Sequence, residues 1–138
     1  MKKRQITSYF IRSPKITRPT CLALATDLHN GPYQDLLPVL QGVDAILVAG
    51  DMADRYHQHW ENAIGFLTAA ASCAPTYFSV GNHERRLKNA DAFWDAVGDT
   101  GVIVLNQTVA RLNDDVVLGG FSSWIKQRVD ATVVGELA

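Results

Sequence analysis

Asp27, His29, Asp51, Asp54, Asn82 and His83 are the residues of this 138-residue chain whose types and spacing can do chemistry. They fall in three short clusters, Asp27-Leu28-His29, Gly50-Asp51-Met52-Ala53-Asp54 and Gly81-Asn82-His83-Glu84. Asp27 and His29 stand two apart, so in an extended segment both project to one side and can grip one cation. Asp51 is the natural bridging ligand, because its two carboxylate oxygens can serve two metals at once. Asn82 offers a neutral amide oxygen to a second cation without cancelling its charge, which leaves that metal the stronger Lewis acid. His83, beside a ligand yet free to face a substrate, can protonate a leaving oxygen, with Asp54 holding its ring in the required tautomer. Two cations about 3.5–4 Å apart stabilise the attacking and the leaving oxygen of an in-line displacement, and they bring a bound water toward a neutral pKa.

These clusters need elements to deliver them to one place. Each follows an apolar run that reads as a buried strand, over residues 21–26, 45–49 and 76–80. In open α/β sheets, ligands bind outside the carboxyl ends of the strands, and all three clusters fall there. After the third, Glu84 and Arg85 stand at what reads as a helix start, where Glu84 suits the helix dipole and Arg85 can reach a phosphate oxygen as a substrate-binding residue.

The remaining pattern completes an alternation. Residues 6–11 alternate loosely as a first strand, and Pro14 and Pro19 break the passage to the next. Leu36, Leu37 and Leu40 give residues 33–40 a short helical spacing around Pro38. Trp60, Ala63, Ile64, Leu67 and Ala71 predict a helix over 59–74 with one buried face, stopped by Pro75. A second helix over 91–97 buries Phe93, Trp94 and Val97. Strands follow over 102–105, 109–112 and 116–118, the last two joined by an Asn113-Asp114-Asp115 turn. Ala131 to Val134 form the last apolar patch. The order predicts an α/β fold with a largely parallel first half.

Bulk composition narrows the field. A chain of this length with 47% hydrophobic residues can bury one substantial core. A net charge of -1, from 13 basic and 14 acidic residues, gives no field that calls for nucleic acid or an anionic membrane. Polar residues after Met1-Lys2-Lys3-Arg4 break the pattern of a signal peptide. No run approaches the roughly 20 apolar residues of a spanning helix, so a cytoplasmic location is expected. Cys21 and Cys73 lack the spacing of a disulfide framework and read as buried free thiols.

The order and separation of the three clusters resemble the calcineurin-like metallophosphoesterase superfamily, whose first motifs run Asp-x-His, Gly-Asp-x-x-Asp and Gly-Asn-His-Asp/Glu. The resemblance implies a pair of mixed β-sheets packed face to face with helices outside, an αββα sandwich. It also implies two divalent metal ions, manganese, iron or zinc, held through Asp27, His29, the bridging Asp51 and Asn82, with His83 as the acid paired to Asp54. The implied activity is hydrolysis of a phosphate monoester or diester, on a phosphorylated small molecule or a phosphodiester, by metal-activated water. The family carries a further His and a Gly-His-x-His later in the chain, whereas no His follows His83 here. Residues 1–138 are therefore expected to form a single domain of this kind truncated at the carboxyl end. The competing expectation is an inactive metal-binding fragment. A flavodoxin-like nucleotide module fits less well, because no Gly-rich phosphate loop follows the first strand.

Other candidates have plainer readings. His57 and His59, two apart at a helix start, point away from each other and read as exposed residues. Trp60, Phe66, Phe93 and Trp94 read as packing. Arg85, Arg86 and Lys88 read as a solvated helix face, with phosphate contact, at Arg85 above all, as the alternative.

Overall fold

Four parallel strands stand side by side in chain order: β1 (Leu22–Ala25), β2 (Ala45–Val48), β3 (Thr76–Ser79) and β4 (Ile103–Leu105). The computed structural model describes residues 4–122. Registers pair Leu24 with Leu47, Val48 with Phe78 and Ser79 with Leu105, so the carboxyl ends of all four strands lie along one edge. A sheet that grows in chain order, with connections of one hand, carries all its connections on one face.

That face carries a 3-10 helix over Gln34–Leu40, α1 (Glu61–Cys73) and α3 (Ala90–Gly98). Pairing of strands leaves their side chains to alternate across the sheet. Ile46, Val48 and Phe78 therefore meet Phe66, Leu67, Phe93 and Val97 in the main core. Phe66, Phe78 and Phe93 have no exposed surface, and each such side chain contributes about 1.5–3 kcal/mol by leaving water. Trp60 and Trp94, both half-buried, pack edge-on against Phe93, as expected of packing residues.

The opposite face holds a smaller core. There Ala45, Tyr77 and Leu105 meet Leu118, with Ala110, Leu112 and Val116 packed around them. Leu118 belongs to an antiparallel hairpin of β5 (Thr108–Arg111) and β6 (Val117–Gly120). Asn113 forms its turn by accepting from the Asp115 and Val116 N–H groups at 2.9 Å. The architecture is thus α/β, a parallel sheet with helices on one side and a small antiparallel sheet on the other. It agrees with the expected metallophosphoesterase-like sandwich.

Several expectations need correction. Residues 6–11 form no strand; Tyr9, Phe10 and Ile11 are exposed, and no strand among the described residues offers them a ladder. Among the described residues β1 is a sheet edge rather than a buried strand, and Leu24 is 70% exposed. A continuous apolar run over 21–26 could not reveal that, among the described residues, only the Ala23 and Ala25 face is packed. Cys21 is exposed and Cys73 half-buried, so the free thiols are not core residues. The patch at Ala131 to Val134 lies outside the described residues. No helix among the described residues is long and apolar enough to cross a membrane.

Candidate metal centre

The first two clusters leave the sheet edge through a shared backbone device, whereas the third leaves through extended Gly81. Gly50, Asp27, His29, Asn30 and Asp51 all adopt positive φ, between 48° and 87°. Asp and Asn are the non-glycine types that reach this region most readily, and His shares the enrichment. Left-handed residues fold each loop back, which lets the buried Leu28, Met52 and Ala53 enter the core while their polar neighbours face outward. Asp27 and His29 do converge, with His29 Nε2 3.3 Å from Asp27 Oδ1, but from a left-handed loop and not from the extended segment expected.

Backbone bonds then zip the first loop to the second. Asp27 N–H donates to Gly50 O at 3.3 Å, His29 N–H to Asp51 O at 3.0 Å and Asn30 N–H to Met52 O at 2.7 Å. Asn30 also reaches α1. Its Oδ1 accepts from the Ala63 N–H at 3.0 Å, while Asn62 Nδ2 donates to its carbonyl at 3.0 Å. Helix starts leave N–H groups without partners, and Trp60 at the cap position supplies no side-chain bond. Asn30 supplies one from another loop.

Asp51 links the second cluster to the third. Its Oδ1 accepts from the His83 N–H at 3.0 Å. The terminal amide of Asn82 lies 3.0 Å from Asp51 Oδ2 and 3.2 Å from Oδ1. With nitrogen toward the carboxylate it donates to both oxygens; with oxygen toward it, acceptor faces acceptor, an arrangement that a cation between them satisfies.

His83 is mostly buried, its side chain 14% exposed, and its ring lies edge-on to His29 with centroids 4.4 Å apart. Its Nδ1 accepts the Arg55 N–H at 3.2 Å, which puts the proton of the neutral ring on Nε2. Asp54 Oδ1 stands 3.6 Å from that Nδ1, while Asp54 Oδ2 pairs with His57 Nδ1 at 2.9 Å. The Tyr56 N–H bonds Asp54 at 3.0 Å and, with His57, holds its carboxyl below the usual aspartate range. His57 is exposed, as expected, yet it takes an ion-pair place that sequence reasoning assigned to no residue. Tyr56 borders the same ring at 5.9 Å and carries the Arg55 guanidinium over its own ring. Arg85 is exposed, with Nη2 3.5 Å from Asn106 Oδ1, a residue outside the three clusters.

Glu84 departs from its expected role at a helix start. It was expected to answer a helix dipole, but α2 (Asn82–Arg85) is a single turn and the side chain is fully buried. Its Oε2 accepts from the Asp51 and Gly81 N–H groups and its Oε1 from the Ala53 N–H, each at 2.9 Å. Burial pushes its carboxyl above the usual glutamate range, the three N–H groups oppose that, and the Asp51 charge adds to it. The available signal was the Gly81-x-x-Glu84 spacing, half of a capping box, in which a glutamate reaches back to the first N–H.

The donor chemistry fits a divalent metal. Single ligand atoms of His29, Asp51 and His83 all lie within 4.8 Å of one another, and imidazole with carboxylate suits zinc, iron or manganese. Asp27 and Asn82 border this group through His29 and Asp51. Fold and site together define an α/β domain with a cluster of metal-ligand side chains at the carboxyl edge of its parallel sheet. Residues 22–132 match the calcineurin-like phosphoesterase family, and the chain belongs to that family. No curated protein and no solved structure matches it.

Proposed function

We propose that this protein is a metal-dependent phosphoesterase that hydrolyses a phosphate monoester or diester at a dinuclear centre. The observation that carries the reading is the convergence of His29, Asp51 and His83 within 4.8 Å at the sheet edge of a calcineurin-like phosphoesterase chain. Asp27 and His29 would hold one divalent cation, Asn82 the other, and Asp51 both. Such cations, manganese, iron or zinc, supply Lewis-acid stabilisation of phosphoryl oxygens and acidify a water.

The chain's own groups do the rest. Arg85, exposed and next in sequence to Glu84, would offer a guanidinium to a phosphate oxygen. His83 Nε2 faces the leaving oxygen and gives it a proton as the ester P–O bond breaks. Loading that ring with a second proton requires Nδ1 to exchange the Arg55 N–H at 3.2 Å for the Asp54 carboxylate at 3.6 Å, a small rotation. Asp54, kept ionised by Tyr56 and His57, is suited to receive it.

A second reading, metal binding without turnover, draws support from the donor count. Three mutually close donors, one of them the proposed acid His83, fall short of two closed coordination shells among the described residues. Hydrolysis of bis(p-nitrophenyl) phosphate with Mn2+ separates the two. The enzyme reading expects His83→Asn to lower kcat by about a hundred- to ten-thousand-fold and Asp51→Asn to remove metal and activity together. Equal rates in wild type and both variants overturn the site assignment; metal uptake with no hydrolysis by wild type establishes the second reading.

A further inference from the structure

Glu84 is the only buried charged side chain among the described residues, and the phosphoesterase reading gives it no chemical step. A carboxylate that merely capped a helix turn would need one bond, to the Gly81 N–H. Glu84 makes two more, to Asp51 and Ala53, both on the loop after β2. We propose that Glu84 is a positioning residue of the metal centre: its buried carboxylate locks the loop after β2 to the loop after β3 and thereby sets metal affinity. The proposal rests on reading the centre as a metal site.

The neighbouring backbone shows how tight the lock is. Gly50 and Gly81 face each other so closely that a Cβ on Gly50 would lie 2.7 Å from both Gly81 Cα and N. Asp51 and Asn82 come from opposite sides of this contact, and their separation decides whether one cation can touch both. Glu84 bonds the backbone N–H of Asp51 and of Gly81 with one oxygen, so the two ligand-bearing segments share a single atom as reference. Its other oxygen holds Ala53, which stops the second loop from pivoting about Asp51. Three charge-assisted bonds of 2.9 Å fix the spacing before any metal arrives. Partners lying behind metal ligands commonly matter to affinity by about 10–100-fold.

Replacing Glu84 by Gln keeps the shape but sets an NH2 group against one of the three N–H donors; replacing it by Asp shortens the reach by one methylene. Mn2+ affinity of Glu84→Gln and Glu84→Asp, read from the free-ion paramagnetic resonance signal, is expected to weaken by about 10–100-fold. Amide exchange at Asp51, Ala53 and Gly81 in the metal-free variants is expected to accelerate together. Leu67→Ala, in the core of α1, serves as the comparison: it lowers the melting temperature and leaves Mn2+ affinity unchanged. Affinity of Glu84→Gln within twofold of wild type, or an equal loss in Leu67→Ala, overturns the proposal. Wild-type protein that takes up no Mn2+ overturns the metal reading and the claim on affinity with it; normal uptake with unchanged exchange at the three amides overturns the lock alone. Metal-free wild type supplies a readout that needs no variant, since the three amides must open as one unit, and three separate opening rates contradict a common latch.

Discussion

Gly81→Ala tests the packing logic of the centre with a single methyl group. Gly81 has φ -86° and ψ 176°, extended backbone that alanine adopts freely, so the substitution carries no backbone strain. Its cost is steric. The new Cβ would stand 2.2 Å from Asp51 Oδ1, 2.4 Å from Asp51 N and 2.7 Å from Glu84 Oε2. Carbon contacts are comfortable at about 3.5–4.0 Å, so the two loops must part by about 1 Å or more. Asp51 N is backbone and Glu84 is fully buried, so neither can swing aside. Overpacking of this kind costs about 1–3 kcal/mol, and loss of one of the Glu84 bonds adds about 1.5–3 kcal/mol because the acceptor is charged. The sum, about 2.5–6 kcal/mol, lowers the midpoint of thermal unfolding by about 10–25 °C in a domain of this size. Gly98→Ala is the internal contrast: nothing lies within 4 Å of its Cβ position at the end of α3, and removing a glycine stabilises by about 0.5 kcal/mol. Circular dichroism melts of the two metal-free variants read both signs. A Gly81→Ala midpoint within about 2 °C of wild type would refute the close approach and the energetics built on it.

Two other consequences are open to direct measurement. Asn30→Ala removes the cap that the first cluster lends to α1, at about 1 kcal/mol, and sets alanine at φ 54°, at about 1 kcal/mol more. The sum is read as a lower melting temperature and the cap as faster amide exchange at Ala63, so unchanged exchange there contradicts the capping role. Asp115 binds the Thr17 N–H at 2.9 Å and the Thr17 hydroxyl at 2.7 Å, and these bonds hold its carboxyl below the usual aspartate range. A lowered folded-state value means that the tether is fully present above the unfolded value near about 4 and is lost as pH falls through the folded one. The Thr17 amide shift is therefore expected to titrate below the ordinary aspartate value; a midpoint at or above that value contradicts the tether.

Local sequence carried much of the fold because strand and helix periods act within a few residues of themselves. The run 45–49 supplied a central strand, Ala45–Val48, buried at three of its four residues; Pro75 ended α1 at Cys73, and Asn113-Asp114-Asp115 turned the hairpin as its composition implied. Residues 6–11 failed for a complementary reason: alternation describes a face, and a strand also needs a neighbour. β1 shows the same limit, since Leu24 has the composition of a core residue and the exposure of an edge.

What the sequence by itself determined about this protein was the inventory of the centre, the carboxylates, imidazoles and amide of three clusters placed after strands, and with it the family. Tertiary structure alone decided how those groups are used. Left-handed turns at Asp27, His29 and Asp51 aim the side chains, a lone glutamate ties two loops by N–H groups distant in sequence, and Asp54 divides its oxygens between His57 and His83. The physical reason is range. Residue type and spacing report chemistry that one strand end can present, whereas ligand separation, burial and hydrogen-bond partners are properties of the gap between strands, which exists only once the sheet has assembled.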